Sequence, residues 1–202
     1  TTEPVARSKR AAQRVESPEL ITLFNINDPA LPADAAVPML GGRKIMKGNE
    51  DVIKVLNEVL TSELTAINQY FIHSKMCEDW GFQRLAAKKR EESIEEMKHA
   101  DAVIARVLFL EGVPNMQRYF SVKVGEDAVE QHKLDLELEY DAVKRLNEGI
   151  AICRDKGDNG TRELLEMILK DEEEGIDWLE AQLYLVETIG KESYLSEQMG
   201  GN

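Results

Sequence analysis

Four glutamates in this sequence share one spacing. Glu63 and Glu96 are 33 residues apart, and so are Glu139 and Glu172. Glu96 is followed three residues later by His99, within "EEMKHAD". Residues i and i+3 lie on one helix face with Cβ atoms about 5–6 Å apart, so Glu96 and His99 can converge on one ion. Three of the carboxylates interrupt apolar stripes. Glu63 stands between Leu60 and Ile67, Glu139 between Leu136 and Val143, and Glu172 between Ile168 and Ile176. An ionised carboxylate facing a core is costly unless it is paired or binds metal. One Glu from each of two helices, with Glu-x-x-His from each of the other two, is the di-iron carboxylate arrangement of helical bundles. Carboxylate oxygens combined with imidazole nitrogen suit iron or manganese. An isolated E-x-x-H recurs by chance; the doubled spacing makes the constellation specific.

The second half of the pattern departs at one position. In "DEEEGIDWLE", residues 171–180, the counterpart of His99 is Gly175. Glycine inside a helix costs roughly 1 kcal/mol relative to alanine. No other histidine fills the gap. His132 precedes Glu139 by seven residues, about 10.5 Å along a helix, and the remaining one is His73. Glu173 and Glu174 point about 100° and 200° away from the Glu172 face and are expected to be a solvated acidic surface.

The elements that must carry these residues are long helices. Five of the six prolines precede residue 40, so the first part is irregular and the rest is free to be helical. The pattern predicts a proline-rich extension over residues 1–45, with an apolar patch "LITLFNI" at 20–26, and a helical domain over 46–202. A first helix is expected from about Asn49 to Trp80, through Val52, Leu56, Val59, Leu60, Ile67 and Tyr70. A second, with Ile94, Val103, Val107 and Leu110 inward, stops at "EGVPN". After the long connection "MQRYFSVKVGED", a third runs from near Asp127 to Asp155, and a fourth from Thr161 to about Ile189. "YLSEQM" adds a short fifth. The predicted fold is all-α: a four-helix bundle with a long crossover between helices 2 and 3.

Composition narrows the partners. The chain carries 25 Lys+Arg against 38 Asp+Glu, a net charge of −13. The first 45 residues hold six of the cations and only five of the acids, so the excess negative charge belongs to the helical part. A nucleic-acid partner needs a basic surface and is excluded for that part. An acidic body suits metal cations. Cys77 and Cys153 are far apart and form no C-x-x-C, which predicts a reducing compartment. That is the cytoplasm, or the mitochondrial matrix if the basic start is a processed targeting remnant. No apolar run approaches the ~18 residues of a membrane span.

With these residues in place, 46–202 resembles the bacterioferritins. The resemblance is carried by "MKGNEDVIKVLNEVLTSELTAINQYFIHSKM", "ESIEEMKHADAVIARVLFLEGVPN", "VGEDAVEQHKLDLELE" and "ILKDEEEGIDWLEAQL". It implies a ferritin-like fold and a 24-subunit hollow shell that oxidises ferrous iron and stores a ferric mineral. Glu63 and His99 would be terminal ligands of one iron, Glu96 and Glu172 bridges, and Glu139 terminal on the second. Met97 matches the methionine that, with its twin from a two-fold-related subunit, holds haem b. Taken alone, a methionine at such a position is more often core filling. The family has histidine where this chain has Gly175, so the resemblance implies a weakened second iron site and impaired ferroxidase activity. It also implies self-association, or pairing with a second bacterioferritin subunit type.

A second reading is a ferritin-like structural or interaction subunit, recruited into a larger protein assembly by the N-terminal extension acting as a docking arm. Another oxygen-activating di-iron enzyme is a third.

Overall fold

The computed structural model describes residues 47–200. The extension over 1–45, its apolar patch and its docking role lie outside these residues. The described chain forms five helices: α1 (Glu50–Asp79), α2 (Gln83–Phe109), α3 (Ala128–Asp155), α4 (Asn159–Ile189) and α5 (Lys191–Gln198). The first four have 30, 27, 28 and 31 residues, each about 40–45 Å long. α1 packs along α2 and α3 along α4, and the two hairpins meet chiefly through α1 and α3. This is the all-α four-helix bundle expected from the sequence, with the crossover between α2 and α3 and the short fifth helix. Among the described residues no helix is long and apolar enough to cross a membrane.

Side chains set the helix boundaries. Asn49 Oδ1 accepts from Asp51 N–H at 2.9 Å and starts α1. Asp127 Oδ1 accepts from Val129 and Glu130 N–H and starts α3. Asp158 Oδ1 accepts from Thr161 N–H at 3.0 Å and starts α4. Each satisfies backbone donors that a first turn leaves free. Gly81, at φ +85°, turns the chain between α1 and α2.

The core is layered. Val52, Leu56, Leu60, Val103, Leu146 and Ile168 belong to an apolar cluster near one end. Cys77, Leu85, Ala128 and Tyr194 form a second, with Trp80 and Trp178 packed on it. Between the two clusters, along each of the four long helices, lie the buried polar positions. One inward assignment is corrected. Ile94 is 40% exposed, whereas Val103 is fully buried. Nine residues at about 100° each place the two on opposite sides of α2.

A buried polar network locks the layer next to the second cluster. Lys89 on α2 and His73 on α1 are fully buried with Asp135 on α3. Asp135 Oδ2 accepts from Lys89 Nζ at 2.5 Å; its Oδ1 accepts from His73 Nδ1 at 2.8 Å and Gln69 Nε2 at 2.9 Å. His73 Nε2 accepts from Gly125 N–H at 3.1 Å, which fixes Nδ1 as the protonated nitrogen. α1 also holds the crossover. Asn57 Oδ1 accepts from Asn115 N–H, Thr65 Oγ1 from Phe120 N–H and Gln69 Oε1 from Lys123 N–H. Each step of four residues turns about 40° round α1, so the three acceptors follow the crossover across that helix. Gly125 is required here, because a Cβ would lie 2.6 Å from Gln131 N.

Although burial alone would raise it, Lys89 and His73 hold the Asp135 carboxyl down at about 2. Removing one partner of such a pair leaves the other charge buried. Asp135→Asn is therefore expected to cost roughly 3–5 kcal/mol in urea unfolding. Combining it with Lys89→Met, which removes the stranded cation, should restore part of that loss; an additive double variant would contradict the account.

Candidate metal centre

The five sequence-predicted ligands come from all four long helices. Glu63 lies on α1, Glu96 and His99 on α2, Glu139 on α3 and Glu172 on α4. All are 2–6% exposed. Donor atoms of Glu63, Glu96, His99 and Glu172 lie within 4.8 Å of one another. His99 Nδ1 is the atom they share. It is 3.4 Å from Glu63 Oε2, 3.3 Å from Glu96 Oε2 and 3.5 Å from Glu172 Oε1. Glu139 stands outside this group of four. Its Oε1 accepts from the Tyr70 hydroxyl.

The electrostatics show what such a group needs. Burial, and then the neighbouring Glu63 carboxylate, push Glu96 well above the usual range. Burial and then Glu172 do the same to Glu139. Glu172 is raised to about 8, by burial and then by Glu96. For His99, burial disfavours the cation, but Glu172, Glu63 and Glu96 outweigh it and raise its pKa strongly. Glu63 Oε2, Glu139 Oε2 and Glu172 Oε1 are buried without a hydrogen-bond partner. Uncompensated carboxylates in a core take up either protons or cations. Four carboxylates match the charge of two divalent cations, and their oxygens with one imidazole nitrogen fit iron or manganese.

Two residues around the centre were missed by sequence reasoning. Asp171 Oδ2 is 3.3 Å from His99 Nε2, the carboxylate–imidazole contact that orients a ligating histidine through its other nitrogen. With Glu95 and His99 it forms a second possible donor group, in which Glu95 and Asp171 are half-buried and His99 is buried. Tyr70, an apolar stripe residue by its sequence position, is 2% exposed and donates its hydroxyl to Glu139. The sequence held a faint signal for the Asp135 network too. Asp135 precedes Glu139 by four residues and Lys89 precedes Glu96 by seven, both helical repeats of the same face.

The remaining predicted positions are placed as follows. Gly175 is half-buried beside Glu139; a Cβ there would lie 3.8 Å from Glu139 Cδ and Oε1. His132 is committed elsewhere, its Nε2 2.9 Å from the Tyr194 hydroxyl. Glu173 and Glu174 are exposed. Met97 is 42% exposed on the outer face of α2, with Ile94 at 40% and Phe71 at 44% on the same hairpin. Cys77 and Cys153 are buried and free.

Burial and mutual repulsion raise the carboxyls of Glu96, Glu139 and Glu172, so a cation entering the centre competes with protons. Apparent affinity for a divalent ion such as Co(II) should rise with pH up to and through about 8, the value for Glu172. Calorimetry in two buffers of different ionisation enthalpy should register proton release near neutral pH. A pH-independent affinity without proton release would contradict this electrostatic picture.

A family model described as Ferritin-like domain matches residues 53–189. Bacterioferritin of Mycobacterium leprae (strain TN) is 53% identical over 152 residues, which span 75% of this chain and 96% of that protein. Bacterioferritin BfrA of Mycobacterium tuberculosis (strain H37Rv) is 52% identical over the same shares. The bacterioferritin of Streptomyces coelicolor is 48% identical over 151 residues, 75% of this chain and 90% of that one. With this identity across nearly the whole length of these relatives, and a bundle that gathers buried carboxylates from four helices, the chain belongs to the bacterioferritin family of ferritin-like proteins.

Proposed function

We propose that this chain is a bacterioferritin-type iron storage subunit with a partly degenerate ferroxidase centre. The observation that supports it best is the convergence of Glu63, Glu96, His99 and Glu172 at the level where three buried carboxylate oxygens lack partners. Ferrous iron is the substrate. Glu63 and His99 would hold one ion, Glu96 and Glu172 would bridge, and Glu139 would be the terminal group for the second. The two halves are unequal. His99 serves the first position, and Asp171 restrains its ring. The second position has Gly175 and no nitrogen donor. Three carboxylates without imidazole favour slow paired oxidation.

Haem b forms the second part of the proposal. Met97 lies on an exposed apolar face with Ile94 and Phe71, and Arg90 stacks on the Phe71 ring with Cζ 4.8 Å from its centroid. A thioether on an exposed apolar face fits a flat, mostly apolar group shared with a second subunit. When bound, such a haem supplies one-electron transfer. Met97 from each of two subunits would hold it; Ile94 and Phe71 would exclude water from its edge. We place the subunit in a two-fold dimer within a closed shell, in a reducing compartment such as the cytoplasm. A mixed shell with a second bacterioferritin subunit type fits the unequal centre equally well. Recruitment of the subunit into another assembly by the extension is a second reading, supported by the quarter of this chain that lies outside the stretch aligned with its relatives.

Aerobic stopped-flow mixing of Fe(II) with the pure protein should show slow oxidation without a fast phase at two irons per subunit. Gly175→His should speed it by about tenfold or more, since even loss of a group that merely orients a ligand costs about 10–100-fold. A fast two-iron phase in the unaltered chain would overturn the impaired-centre reading. For the haem, reconstituted protein should show bis-thioether absorption bands that Met97→Ala abolishes. Light scattering should report a large closed shell; one or two copies co-purifying with other proteins would favour recruitment instead.

A further inference from the structure

His99 belongs to two donor groups at once. On one side its Nδ1 is 3.4 Å from Glu63, 3.3 Å from Glu96 and 3.5 Å from Glu172. On the other its Nε2 is 3.3 Å from Asp171 Oδ2. Donor atoms of Glu95, His99 and Asp171 all lie within 4.8 Å of one another. Glu95 and Asp171 also line a groove of about 740 Å³ between α2 and α4, whose wall includes Gly175. Two of the three members of this second group are therefore open to solvent.

The lysines of the groove leave these two carboxylates alone. Lys88 pairs with Glu92 and Lys170 with Glu174. Among the described residues no lysine or arginine pairs with Glu95 or Asp171, and the ionic contact of Asp171 is His99 itself. Carboxylates on a surface attract cations only diffusely. Here a ring that is 6% exposed fixes one nitrogen beside them. One imidazole nitrogen with two carboxylates suits a divalent first-row ion, with water from the groove completing its shell.

We propose that Glu95, Asp171 and His99 Nε2 form a second divalent-cation site on the groove wall, and that this site and the buried centre compete for His99. A neutral imidazole carries hydrogen on one ring nitrogen and a lone pair on the other. With an ion on Nδ1, Nε2 keeps the hydrogen and donates it to Asp171. With an ion on Nε2, the hydrogen sits on Nδ1 and the inner carboxylates accept it. Each arrangement satisfies both nitrogens, and neither lets a neutral ring hold both ions. An ion in the groove thus withdraws the imidazole from the buried centre, where Gly175 offers no second one. The competition rests on the metal-centre reading above; the outer site does not.

The test titrates the full chain with Co(II), followed by equilibrium dialysis and by the visible bands that report coordination. A variant with Glu63→Gln and Glu172→Gln disables the buried group and keeps the outer one; it should still bind Co(II) saturably. Adding Glu95→Gln should weaken that binding by at least about tenfold, since loss of a group that merely orients a ligand already costs that much. Adding Glu174→Gln instead removes the same charge from the same groove and should change little. The unaltered chain should bind fewer Co(II) per subunit than the Glu63→Gln, Glu172→Gln variant and the Glu95→Gln variant taken together. No Co(II) binding by the first variant, or equal weakening by Glu95→Gln and Glu174→Gln, would overturn the outer site and leave the buried centre standing. A parent stoichiometry equal to the sum would overturn the competition. Parent binding that ignores Glu63→Gln and Glu172→Gln but is lost with Glu95→Gln would instead sink the buried centre.

Discussion

A charge buried in hydrocarbon needs a counter-charge within contact distance, and this bundle meets that constraint in two ways a single helical turn apart. Asp135 and Glu139 lie on one face of α3, and both are fully enclosed. Asp135 is held down at about 2 by Lys89, whereas Glu139 is driven up by burial and by Glu172. The difference lies in the partner. The protein supplies its own cation to the first and surrounds the second with further carboxylates. The lower layer is therefore complete on folding, and the upper one is built for cations from outside.

The completed layer frames the other. Lys89, His73, Gln69 and Asp135 tie α1, α2 and α3 together and pin the crossover through Gly125 and Lys123. Tyr70 extends from that layer to Glu139. Rigid placement matters because carboxylates that repel one another would otherwise turn towards water. Long helices packed over apolar clusters on both sides of the polar layer remove that option. The two hairpins repeat the same carboxylate register, yet they differ at Gly175. The fold is thus nearly symmetric at the level of the ligands and asymmetric in chemistry.

Much of this was legible in the residues. The 33-residue spacing located Glu63, Glu96, Glu139 and Glu172, because equal helix lengths put equal spacings at equal depths. Helix boundaries followed from proline, glycine and capping residues to within a few positions. Ile94 was misplaced because a stripe extended over nine residues drifts to the opposite face. Asp171 and Tyr70 went unread because their roles depend on neighbours from other helices. Asp171 meets His99 of α2, and Tyr70 of α1 meets Glu139 of α3.

By itself the sequence determined the all-α class, the long crossover, the register of the carboxylates and the glycine at the position equivalent to His99. All four depend on residue type and period along one chain. Only the tertiary structure decided which carboxylates gather about His99, that Glu139 pairs with Tyr70, that Asp135 already owns a cation, and that Gly175 opens to a groove. Those outcomes depend on distances between helices, which no period along a single chain contains.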